Sequence, residues 1–144
     1  MIRKLTLEDK QVYFEMAKDF YSTDAVWHPI PDKNFEDTFC ELLRSDVYAE
    51  CFIFEIDNTV AGYALLAKTF SQEAGGLVVW IEEIYTKPEF RGKGLGGEFF
   101  DYLFENRPAA RYRLEIEPEN ERAVALYRKK GFQTMPYGQM CKDA

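Results

Sequence analysis

Seven consecutive residues, Arg91 to Gly97 (RGKGLGG), constrain this chain more than any other stretch. An apolar, strand-like run ends before them at Thr86, and an apolar helical run opens near Leu95, so the glycines fall at a strand-to-helix turn. Glycine lets the backbone approach a ligand closely and adopt positive φ, and the first N–H groups of a helix favour an anion. A phosphate-bearing ligand is the first expectation. Gly92, Gly94 and Gly97 also satisfy G-x-G-x-x-G, with Glu115 and Glu117 about 20 residues on, where a dinucleotide site wants an acid. That fold needs several βα units after its first turn, and only about fifty residues follow here. No Gly-Lys-Ser/Thr completes a P-loop.

With 144 residues, 47% of them hydrophobic, residues 1–144 are expected to form one domain around a real core. A net charge of −7 argues against nucleic acid as a partner and is compatible with cationic ligands. No uncharged run approaches the length of a membrane span, and the opening MIRKLTLEDK lacks an apolar signal core; a cytoplasmic protein with no membrane partner is expected. Cys40, Cys51 and Cys141 are odd in number and widely spaced, as reduced thiols are, and with a single histidine, His28, no metal site or catalytic triad is expected.

Read in order, Ile2 to Leu5 is a short strand, and Thr6 with Asp9 resembles a capping box before a helix striped by Val12, Met16 and Phe20, seconded by Tyr13 and Ala17. Asn34 is expected to cap a second helix bearing Phe35, Phe39, Leu42 and Leu43. Cys51–Ile56 and Val60–Thr69, split by Asp57-Asn58, form a hairpin, and Ala74-Gly75-Gly76 turns the chain into a strand over Leu77–Thr86. A third helix follows the glycine loop. Arg111–Ile116 is a fifth strand, parallel to the fourth because a helix joins them. Asn120 caps a fourth helix ended by Gly131, and Phe132–Lys142 is expected to form a last hairpin. The fold class is therefore α/β, with a mixed central sheet, an antiparallel N-terminal meander and about four helices. Glu82 and Glu83 interrupt the apolar fourth strand and call for partners. On a regular strand they point to opposite faces, so one alone would face a cleft, and an ion pair with Arg111 or Arg113 is the structural alternative for either.

The same loop also reads Arg91-x-x-Gly94-x-Gly96, and here the chain resembles the GCN5-related N-acetyltransferase (GNAT) family. Ile84-x-Thr86-x-Pro88 upstream, and Asn120, Tyr127 and Gly131-Phe132 downstream, extend the likeness over residues 78 to 132. The resemblance implies the acyl-CoA N-acyltransferase fold and acetyl-CoA as co-substrate, with no metal. By it, Arg91, Gly92, Lys93, Gly94, Leu95, Gly96 and Gly97 would grip the pyrophosphate, and Asn120 would touch the cofactor. Ile84, Tyr85 and Thr86 would line its pantetheine arm, where the fourth and fifth strands diverge.

Acyl transfer to an amine needs a proton acceptor, since only about one amine in a thousand is neutral at pH 7.4. The Ile-Glu-Glu-Ile-Tyr-Thr run resembles the Leu-Glu-Asp-Phe-Phe-Val run of the diamine acetyltransferase branch, which implies Glu82 as base with Glu83 as the alternative. The leaving thiolate wants a proton, and Tyr127, two helical turns from Asn120 and on the same face, is implied as the acid. Tyr21, Asp24, Trp27 and His28, between the first two helices, offer aromatics and an acid for the amine. The expected acceptor is a small-molecule amine, a polycation such as a polyamine first. A peptide N-terminus, a lysine or an aminoglycoside is the runner-up, and a non-catalytic acyl-CoA sensor or a homodimer stays open.

Overall fold

Asp57 and Asn58 both adopt positive φ (49° and 61°), the backbone that a two-residue hairpin with twisted strands requires. They join β2 (Ala49–Ile56) to β3 (Thr59–Ser71), and Gly75 (φ 78°) helps to turn β3 into β4 (Gly76–Thr86). The computed structural model describes residues 1–144. Around this meander stand β1 (Ile2–Lys4), α1 (Lys10–Phe20), α2 (Asp32–Arg44), α3 (Leu95–Asn106), β5 (Arg111–Leu114) and α4 (Glu121–Lys129). The sheet order is β1-β2-β3-β4-β5, every pair antiparallel except the parallel β4–β5 pair.

Alternation along the strands builds two apolar layers. In β2, Cys51 and Ile53 face α1 and α2, where Tyr13, Met16, Phe35, Phe39 and Leu42 cover them. Phe52 and Phe54 face α3, whose Phe99, Phe100 and Leu103 are fully buried with Val79 of β4. The mixed sheet between helices is the expected fold.

Several boundaries differ from expectation. In α1 the buried stripe is centred on Tyr13, Met16 and Ala17 of the expected set, with Val12 and Phe20 at its margins. Asn34 does not cap α2: the helix begins at Asp32 after Pro31, whose φ of −64° already suits a helix start, and the Asn34 N–H donates to the Pro31 carbonyl (2.9 Å). Leu43 turns outward. No hairpin forms after Phe132; Pro136 lacks an N–H for a ladder, and the segment runs on without strands. The fifth strand stops at Leu114, two residues early, as Glu115, Glu117 and Pro118 lead the chain away from β4.

Gly62 of β3 lies beneath the far end of β4, and a Cβ there would sit 2.2 Å from the Tyr85 carbonyl oxygen. Backbone must yield, so Gly62→Ala is expected to cost about 3 kcal/mol in urea unfolding. A change below about 0.5 kcal/mol would show that β4 moves freely at this point.

Candidate active site

The site begins with an irregularity in β4. Ile81 pairs with Leu66 and Glu83 with Leu65, so Glu82 is an extra residue, a β-bulge. The bulge resets the alternation. Val79, Ile81 and Ile84 lie on the α3 side, whereas Tyr85 joins the α1/α2 side. Pairing with β5 ends at the same level, at Ile81 and Leu114.

Beyond the bulge, β4 has one free edge. Lys87 N–H donates to the Ala61 carbonyl (2.8 Å), which makes Tyr85 and Tyr63 the hydrogen-bonded pair by antiparallel alternation. The backbone groups of Ile84 and Thr86 therefore point away from β3, towards the gap left by β5. One is already engaged, since Arg91 Nε donates to the Thr86 carbonyl (3.1 Å). Tyr85 does not reach the gap: its ring is buried on the opposite face, with its hydroxyl on Asp19.

At the mouth of this gap the glycine loop enters α3. Gly92 and Gly94 take left-handed φ of 78° and 81°, which excludes most side chains. The backbone N–H groups of residues 92 to 97 find no acceptor within the protein. Gly96 lets α3 approach α4, since a Cβ there would stand 3.2 Å from Leu126, and buried Leu95 anchors the first turn. Arg91 and Lys93 are exposed beside it, with Lys93 Nζ 5.5 Å from the centre of the Phe90 ring. Six free donors, a helix N-terminus and two cations fit a pyrophosphate, and the free edge of β4 fits an extended amide-bearing arm.

On the other side of the bulge lies a cleft of about 370 Å³ that gathers Tyr21, Trp27, His28, Glu82, Glu83, Asn120 and Tyr127. Asp24 is exposed and outside it. Trp27, 82% exposed, and His28, whose Nδ1 lies 3.0 Å from the Pro29 carbonyl, form an open wall. A larger cavity of about 730 Å³ runs along β5 and shares Tyr127, but Glu82 and Glu83 do not line it; the chemistry-bearing side chains converge in the smaller one.

The two acids do not divide between faces as a regular strand would have them: both line this cleft. Glu82 is open at its rim, yet the surrounding protein, and then Glu115, push its carboxyl up. Glu83 is buried, 7% exposed, and burial pushes it up while the hydroxyls of Tyr21 and Tyr63 pull it back. Neither is taken up by an arginine of β5, because Arg111 pairs with Glu73 (2.6 Å) and Arg113 stacks on Trp80 (4.2 Å). Tyr127 packs edge-on against Phe100, and burial raises its phenol above the usual value. Asn120 caps α4, its Oδ1 accepting from the Ala123 N–H (3.2 Å), and faces the same cleft.

Sequence reading did not single out Trp80 and Tyr63, and it placed Glu115 and Glu117 only in a dinucleotide pattern. No cluster of three or more His, Cys, Asp or Glu stands ready for a metal ion, and no helix is long and apolar enough to cross a membrane.

Residues 10–132 match the profile of the "Acetyltransferase (GNAT) family". A thialysine N-epsilon-acetyltransferase of Bos taurus is 31% identical over 111 residues, which are 66% of this chain and 65% of that protein; the chain thus spans just under two thirds of that relative's length. A ribosomal-protein-alanine N-acetyltransferase from Brucella melitensis biovar Abortus 2308 shares the fold at a TM-score of 0.73 and 20% identity, over 99% of each chain. So does an aminoglycoside N-acetyltransferase solved in complex with CoA, at 0.79 and 18%, over 99% of this chain and 93% of the other.

Burial raises the Glu83 carboxyl above its unfolded value. In acid both states are protonated; as pH climbs past the unfolded value the unfolded chain ionises first, and the fold loses stability until Glu83 ionises too. Glu83→Gln is therefore expected to melt a few degrees higher than the parent at pH 8, the gain fading below about pH 4. An equal or lower Tm at pH 8 would mean that the carboxylate has a stabilising partner.

Proposed function

The chain belongs to the acetyltransferase (GNAT) family, and on that premise we propose that it transfers the acetyl group of acetyl-CoA to a primary amine. The observation that carries the reading is the meeting, at one bulge, of a free strand edge, an anion-binding turn and a carboxylate cleft containing a tyrosine. When bound, acetyl-CoA supplies an activated thioester. Residues 91 to 97 would hold its pyrophosphate, the backbone of Ile84 and Thr86 would align its arm, and Asn120 in the cleft would meet its thioester end.

Glu82 removes a proton from the acceptor ammonium, directly or through water, for which a raised carboxyl at the cleft rim is suited. Glu83, deeper in the wall, offers that ammonium a fixed negative charge. The Tyr127 hydroxyl, neutral at physiological pH like any phenol and raised further by burial, gives its proton to the leaving sulfur. Tyr21, Trp27 and His28 wall the acceptor side. We propose a small polycation such as a polyamine as the acceptor, because Glu82, Glu83, Glu115 and Glu117 all line the cleft and no Lys or Arg does. The likeness to thialysine acetyltransferases supports lysine-like side-chain amines as the second class to test.

Release of free CoA thiol against polyamines, lysine and thialysine, peptide N-termini and aminoglycosides tests the reading. Turnover with an amine supports it; tight CoA binding without turnover on any class would replace it with a sensor role. Tyr127→Phe is expected to lower kcat by about one to three decades with acetyl-CoA affinity retained, and unchanged turnover would remove Tyr127 from the mechanism. Gly94→Asp sets a negative side chain at a left-handed position among the free N–H groups and is expected to abolish CoA binding by calorimetry. Retained affinity would move the phosphate site elsewhere.

A further inference from the structure

We propose that Tyr63, inside the sheet and remote from the loop motifs, is a positioning residue of the acceptor site: its hydroxyl donates to Oε2 of Glu83 (2.9 Å) and fixes that carboxylate in the cleft wall as the acceptor's counter-ion. The proposal rests on the amine-acetylating reading above. Tyr63 is fully buried on β3, and Glu83 lies diagonally across from it on β4, a relation created by the Glu82 bulge opposite Leu65 and Leu66. Its ring cannot swing away, held edge-on by Tyr13 (5.5 Å) and tilted against Tyr85 (5.9 Å), whose own hydroxyl is bound to Asp19.

The groups facing Glu83 are Tyr13 and Tyr21 from α1 and its C-terminal cap, Cys51 from β2, Tyr63 from β3, and Glu82 on its own strand. Burial raises all three tyrosines and the thiol, so each is neutral in the working range, and the one remaining neighbour is an acid. Glu83 makes no ion pair with any cation of the protein. A buried carboxylate with hydroxyl donors and no counter-charge is costly unless a cation arrives. Tyr63 holds Oε2 from inside the sheet, the Tyr21 hydroxyl also reaches the carboxylate from the cleft wall, and the negative charge they leave uncancelled faces an ammonium entering the cleft. Donation from Tyr63 also favours the ionised form, which offsets part of the upward push of burial.

Tyr63→Phe removes the hydroxyl and keeps the ring. At pH 7 it is expected to raise the amine KM roughly tenfold, with kcat and the acetyl-CoA KM within about twofold. Losing the donor raises the Glu83 carboxyl further, so the acid limb of kcat/KM for the amine moves up by about one pH unit. In a Glu83→Gln background the same substitution is expected to add almost nothing. Replacement of Tyr63 by 3-fluorotyrosine, a stronger donor of nearly the same size, is expected to move the limb the opposite way. An unmoved limb and KM, or a Tyr63→Phe loss as large without Glu83 as with it, would overturn the proposal. A ¹³C titration of the Glu83 carboxyl, assigned by its disappearance in Glu83→Gln, reads the contact without turnover. A higher midpoint in Tyr63→Phe supports the contact even if no amine is acetylated, and an unchanged midpoint overturns it.

Discussion

The candidate site of this molecule is arranged around one extra residue in β4. By standing unpaired against β3, Glu82 turns Ile84 towards α3 and Tyr85 towards α1, at the level where β5 loses its register with β4. Without the bulge, alternation would carry Glu83 and Tyr85 to the face of Ile81, into the apolar layer built by Phe99, Phe100 and Leu103. A carboxylate there would meet no polar group. The bulge thus relieves a burial conflict and opens the sheet in a single step.

The opening remains because two rigid layers hold it. Phe52, Phe54, Phe99 and Leu103 are fully buried and fasten α3 to the sheet, so the glycine turn leading into α3 is set relative to β4. Arg91 Nε then ties the turn back to the Thr86 carbonyl. On the opposite face, the Tyr13, Tyr63 and Tyr85 rings hold Glu83 from behind. A free strand edge is normally a liability for a folded protein. Here its length is limited to the few residues beyond Ile81, and the glycine turn and α4 flank it.

The electrostatics divide in the same way. The other buried acids find cations: Asp9 with Arg3, and Glu50 with Lys68 and Arg107. Glu82 and Glu83 do not, and both carboxyls are pushed up where these others are pulled down. Of the three buried acids, Glu83 alone lacks a cation, and it shares its cleft with Glu82, Glu115 and Glu117. Negative charge so gathered is complementary to a cationic ligand.

Most of the architecture was legible in the sequence because its signals are local. The Asp57-Asn58 turn, the glycine run before Leu95 and the Asn120 cap each act within a few residues, and the helix between β4 and β5 requires a parallel pair. The start of α2, the length of β5 and the strandless segment after Phe132 were misjudged, since they turn on how Pro31, Pro118 and Pro136 meet the rest of the chain. Glycine spacing and the Glu-Glu pair pointed to anion binding and proton chemistry, because those need particular residue types in short order. Only the tertiary structure decided that both acids share one cleft, that Asp24 and Tyr85 stay out of it, and that Tyr63 stands behind Glu83. Those outcomes follow from cross-strand register, and a one-residue bulge that changes every facing beyond it leaves no mark in the spacing of residues along the chain.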